Sequence, residues 1–163
     1  MSRADSIVVG PLVQELAAKP QEEQLRLLIE YLGTRSQAKV ALAAHILTGG
    51  GPPIILRLIR EAFAPGRRPT HAVQLLGIVG RIGGPVPYDE WMLIAAGRAS
   101  PRRLVSVKCS QLLLPLGHAV ASPEASRLQK SEGGTFFSEN VDARVRVAME
   151  VRVLQRLVES VER

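Results

Sequence analysis

Val73-Gln74-Leu75-Leu76-Gly77-Ile78-Val79-Gly80-Arg81-Ile82-Gly83-Gly84-Pro85 is the stretch on which the reading of this chain turns. Thr70 can cap a helix that runs through Val79, and the Gly83-Gly84-Pro85 triplet breaks it. The same triplet stands 33 residues earlier as Gly50-Gly51-Pro52, again between two helix-forming runs. At that offset Leu42 matches Leu75 and Ala44 matches Gly77, and Ser100-Pro101 restarts the pattern near the next expected place. A period of this size with two helices per unit marks a short α-solenoid, whose units bury their apolar faces against one another.

On either side, helix signals follow one another with short breaks at Gly or Pro. A first helix is expected from Pro11 to Ala18, and a second from Pro20 with Leu25, Leu28, Ile29 and Leu32 on one face and Gly33 as its C-cap. Ser36 can cap a third, with Val40, Ala43, Ala44 and Leu47 spaced for burial. Pro52 and Pro53 open a fourth, whose stripe is Ile55, Leu58, Ile59 and Ala62. After a loop at 64–69 and the fifth helix, a sixth covers Asp89 to Ala96. A seventh begins at Ser100-Pro101, carries Leu104, Val107, Gln111 and Leu114 near one face, and stops around Pro115. The polar stretch 122–140, with Gly133-Gly134, reads as a mobile loop inside a single domain spanning 1–163. The last helix, 141–161, has a stripe of Val147, Val151, Leu154, Val158 and Val161 and a second row of Val145, Met149, Val153 and Leu157. No segment alternates with period two, so an all-α fold without a sheet is predicted.

The run Val73 to Pro85 resembles the first helix and turn of a HEAT-type repeat, and Ser100-Pro101-Arg102-Arg103-Leu104-Val105-Ser106-Val107 resembles the start of the following one. The resemblance covers about residues 34–120 and rests on apolar and glycine positions. It implies a ligand-presenting scaffold and brings no functional residues with it. The chain departs from it at 122–140, and the long C-terminal helix has no partner within a repeat, which leaves a plain helical bundle as the other architecture.

Composition agrees. At 163 residues and 46% apolar the chain can fill one core, and that core is Leu, Val, Ile and Ala with few aromatics. The lone Cys109 can form no intramolecular disulfide. The longest uncharged stretch, Val40 to Leu56, holds His45, three glycines and two prolines, so no membrane span is read there and a cytoplasmic location is expected.

His45, His71 and His118 are isolated and no Cys-x-x-Cys occurs, so no metal site is expected. Gly77, Gly80, Gly83 and Gly84 follow no strand and precede no Lys-Ser/Thr, which excludes a phosphate loop. Cys109 stands among Val107, Leu112 and Leu113 as a buried small hydrophobe, and Glu22-Glu23 and Asp89-Glu90 sit in first turns of helices. The sequence therefore reads as non-enzymatic, with no cofactor.

Charge carries the remaining signal. The net charge is +6, and residues 51–110 hold nine basic and three acidic side chains while the flanking regions balance. Arg57, Arg60, Arg67, Arg68, Arg98, Arg102, Arg103 and Lys108, with Arg81, fall on helix ends and inter-helix loops. Stacked repeats would bring Arg67-Arg68 and Arg102-Arg103 to one rim, able to grip phosphates or an acidic protein surface. Phe136 and Phe137, in polar surroundings, are a candidate apolar anchor for a partner. The expected function is a helical-repeat adaptor or structural subunit bound to another protein in a larger complex, with nucleic-acid backbone binding as the alternative.

Overall fold

Proline, serine and glycine set where the helices begin and end. The computed structural model describes residues 3–117 and 140–162. These form α1 (Arg3–Ala17), α2 (Gln21–Tyr31), α3 (Gln37–Gly50), α4 (Ile55–Ala62), α5 (Pro69–Ile82), α6 (Tyr88–Gly97), α7 (Arg103–Leu116) and α8 (Asn140–Glu162). A 3-10 turn, Pro52–Ile54, leads into α4. Among the described residues there is no β-strand, and the fold is all-α. The segment 118–139, with Phe136 and Phe137 and most of the expected loop, lies outside the described residues.

Ser36 accepts a hydrogen bond from the Lys39 amide at 3.3 Å, the N-cap expected of it. Pro69, not Thr70, opens α5, since a proline at the first helical position removes no intrahelical bond. α1 and α7 run through Pro11 and Pro115, beyond the limits read from the sequence. In both, buried side chains beyond the proline (Val13 and Leu16, and Leu116) hold the backbone helical despite a missing donor. The two Gly-Gly-Pro turns differ in detail. The left-handed residue is Gly51, φ 73°, in the first and Gly83, φ 89°, in the second.

Packing arranges α2 to α7 as three helical hairpins, α2 with α3, α4 with α5 and α6 with α7. α3, α5 and α7 pack side by side in one row, and α6 lies against α4 in the other. At the far end the turn before α6 passes so close to the end of α7 that a Cβ on Gly84 would overlap the Leu116 carbonyl. Val86 N–H donates to the Gly117 carbonyl at 3.4 Å beside it.

α8 returns to the opposite end of the rows and packs along α1, α2 and α3. Ala143, Val147, Val151, Leu154 and Val158 are all buried. Each fully buried valine or leucine contributes roughly 2 kcal/mol, so this one face holds the helix in place. Its second apolar row stays exposed.

Two expectations need correction. The Leu104, Val107 and Leu114 row of α7 faces solvent, and Val105, Cys109, Leu112 and Leu116 are buried instead, because α5 and α6 both flank that side. The interior is also not purely aliphatic: Gln24, His71 and Glu90 are buried. Gln24 donates to the Leu16 carbonyl at 2.9 Å, which joins α1 to α2.

Candidate functional site

The corners between hairpin helices are built from arginine and backbone carbonyls. Arg68 reaches across to donate to the carbonyl of Gly33, and Arg102 Nη1 donates to the carbonyl of Arg67 at 2.6 Å. The corners before α3, α5 and α7 therefore stand next to one another, and the three helices start along one edge and run in the same direction. Arg35, Arg67, Arg68, Arg98, Arg102 and Arg103 all lie at these corners.

Arg67 is held on every side. Its Nε donates to the Glu61 carbonyl at 2.8 Å, Nη2 pairs with Glu61 Oε2 at 2.5 Å, and Nη1 lies 3.2 Å from His71 Nδ1. His71 Nε2 in turn meets the Ile29 carbonyl at 2.7 Å. An arginine offers only donors and a carbonyl only accepts, so these partners assign the imidazole as neutral with its proton on Nε2. Burial lowers the His71 pKa below the usual histidine value, and the neighbouring Arg67 and Arg68 push the same way against the Ile29 carbonyl and Glu61. A Cβ on Gly33 would come within 2.7 Å of the His71 ring, so glycine serves here for close approach and not as the expected left-handed cap.

The other basic residues separate. Arg57 pairs with Glu61 at 3.1 Å and Glu22 at 3.2 Å, and Arg60 pairs with Glu90 at 3.4 Å, all on the α4 side of the molecule. Arg98 donates to the Ala95 carbonyl of its own helix at 3.4 Å, and Arg103 is exposed at the start of α7. Lys108 leans over Gly77, its Nζ 3.9 Å from where a Cβ would stand. The structure thus gathers the corner arginines and leaves Arg57 and Arg60 on another face.

A groove opens where α3 and α5 run side by side, with a volume of about 850 Å³. Its apolar floor is Val40, Ala41 and Ala44, and Gln37, His45 and Gln74 supply polar atoms, while the Thr48 hydroxyl is buried beneath it. Arg35 lies just before α3 and Arg81 at the end of α5, so the co-directional helices set these guanidiniums at opposite ends, about 20 Å apart at 1.5 Å per residue. Neither arginine has a partner among the described residues, and no carboxylate belongs to the lining. Glu150 stands beside Gly49 at one margin. Arg35, His45 and Gln74 carry no sequence motif. The only trace is a row of small residues, Ala41 and Ala44, opposite the buried side of α3.

Reactive groups are few. Burial pushes the Cys109 thiol up to about 11, far from the thiolate a nucleophile needs. Among the described residues no group of three His, Cys, Asp or Glu could hold a metal ion, and no single helix is long and apolar enough to cross a membrane. No protein-family model, curated protein or solved structure matches the chain.

Proposed function

We propose that this chain is a non-enzymatic helical-repeat adaptor, a cytoplasmic subunit of a larger protein assembly, that holds an acidic segment of a partner protein along the α3/α5 groove. The groove carries the reading: a small-residue floor, amide and imidazole groups along it, and an unopposed guanidinium at each end. Its length suits a helix of about 14 residues or an extended run of about 6, with carboxylates near both ends. Arginine forks recognise carboxylates bidentately, which makes those ends selective as well as attractive. The HEAT-type repeat is part of the proposal. Support comes from the two rows of helices and from contacts that recur at a separation of 35 residues, Glu22 with Arg57, Gly33 with Arg68 and Arg67 with Arg102.

A second reading is favoured by one specific observation. α3, α5 and α7 start along a single edge that also carries Arg35, Arg68, Arg102 and Arg103, so helix dipoles and guanidiniums present positive charge together. A nucleic-acid backbone would fit such an edge.

Fluorescence anisotropy separates the two. The probes are a labelled 14-residue alanine-rich peptide with glutamates at both ends, and a labelled random duplex. The adaptor reading expects peptide binding that weakens about ten-fold or more in Arg35→Glu/Arg81→Glu. Duplex binding that survives those changes, falls steeply with salt and is lost in Arg102→Ala/Arg103→Ala would replace it with the backbone-binding reading.

A further inference from the structure

Val145, Met149, Val153 and Leu157 are 42, 55, 51 and 43% exposed, although the opposite side of α8 is fully packed. Their spacing of four makes them one continuous ridge, about 18 Å long. Ridges of this kind seat between the side chains of a crossing helix in the commonest mode of helix packing. A solvated helix face has no need of four large apolar side chains in a line.

The charges around the ridge say what covers it. Arg152 and Arg156 flank its centre, both exposed and without a partner among the described residues, and the exposed Glu159 follows one turn later at its C-terminal end. Arg146 is turned to its own chain, donating to the Gly50 carbonyl at 3.3 Å, and the Glu150 carboxyl rests against Gly49 of α3. A second copy matches poorly. Antiparallel self-pairing that sets Val145 against Leu157 puts Arg156 opposite Arg146 and Arg152 opposite a Glu150 that is turned away. Parallel pairing sets each arginine against itself.

We propose that the α8 ridge is a docking site for an amphipathic helix of another protein, one with an apolar seam bordered by glutamate or aspartate. The seam interleaves with Met149 and Val153 at the centre, and the bordering carboxylates take the forks of Arg152 and Arg156. This site is independent of the α3/α5 groove, and it gives the molecule a second partner-binding surface.

Two synthetic helical peptides test it against the full chain: one with leucine at every fourth position bordered by glutamates, the other with the same apolar positions bordered by lysines. The glutamate peptide is expected to bind roughly ten-fold or more tightly than the lysine peptide, and Met149→Glu/Val153→Glu is expected to abolish that binding. These positions are exposed, so an unchanged thermal midpoint verifies the fold. Arg152→Glu/Arg156→Glu is expected to reverse the preference toward the lysine peptide, a gain that unfolding cannot mimic. Arg35→Glu/Arg81→Glu should leave it untouched, which separates the ridge from the groove. Equal binding of both peptides, or no reversal, would overturn the proposal. So would a concentration-dependent wild-type dimer that Met149→Glu/Val153→Glu converts to monomer, because the occupant would then be a second copy.

Discussion

Arg102 Nη1 donates to the carbonyl oxygen of Arg67 across 2.6 Å, tying the corner before α7 to the corner before α5. Arg68 makes the corresponding bond to Gly33 one hairpin earlier. Each arginine satisfies a carbonyl at an exposed turn that would otherwise be bonded only to water.

These ties predict a modest and coupled loss of stability. Arg68→Ala and Arg102→Ala should each lower stability by about 1 kcal/mol, below the usual contribution of a charged hydrogen bond because both sites are exposed. The carbonyl that Arg102 grips belongs to the peptide bond between Arg67 and Arg68, so the two ties share a corner and the double variant should depart from the simple sum. Urea midpoints measure this. Midpoints unmoved in both single variants would mean that apolar packing alone sets the corners.

His71 predicts a pH dependence. The unfolded histidine takes up its proton near pH 6.5, whereas the folded one, its pKa lowered chiefly by burial, stays neutral to lower pH. Below about pH 6.5 the unfolded chain therefore binds more protons, so stability is fully present above that value and falls as the solution is acidified. His71→Gln, which does not titrate, should show a shallower fall between about pH 7 and pH 5. Parallel stability curves for the two proteins would uncouple His71 from folding.

Two glycines on the α5–α7 side predict unequal costs. A Cβ on Gly80 meets only the flexible end of Leu112, at 2.7 Å, so Gly80→Ala should cost no more than about 1–3 kcal/mol. A Cβ on Gly84 meets backbone, the Leu116 carbonyl, and forces the turn away from α7. Gly84→Ala should be clearly the more destabilising of the two in thermal melts. Equal melting points would show that the turn before α6 can shift freely.

Much of the architecture is legible in the residues themselves. Gly-Gly-Pro triplets, the Ser36 cap and the stripes of α4 and α8 all act locally, so sequence spacing reads them directly. α7 shows the limit. Leu104, Val107 and Leu114 form one apolar row and Val105, Cys109, Leu112 and Leu116 another, and only the placement of α5 and α6 decides which is buried. Charge behaves similarly. A cluster of arginines between Arg57 and Lys108 is plain in the sequence, but Glu22 and Glu61 engage Arg57, and His71 and Glu61 engage Arg67, through contacts that spacing alone does not reveal. Spacing does not relate Arg35 to Arg81, because they become the two ends of one groove only when α3 and α5 lie in parallel.

The return of α8 to α1 also bears on how the chain matures. Gln155 donates to Gln14 at 3.1 Å across 141 positions, whereas the hairpins close over short separations. During synthesis α1, α2 and α3 emerge long before the helix that packs along all three exists. Their apolar flank must wait, and such long-range closure is slow compared with neighbouring helices zipping together. A nascent chain halted before residue 140 would therefore present that flank to chaperones, and assembly would be complete only after α8 leaves the ribosome.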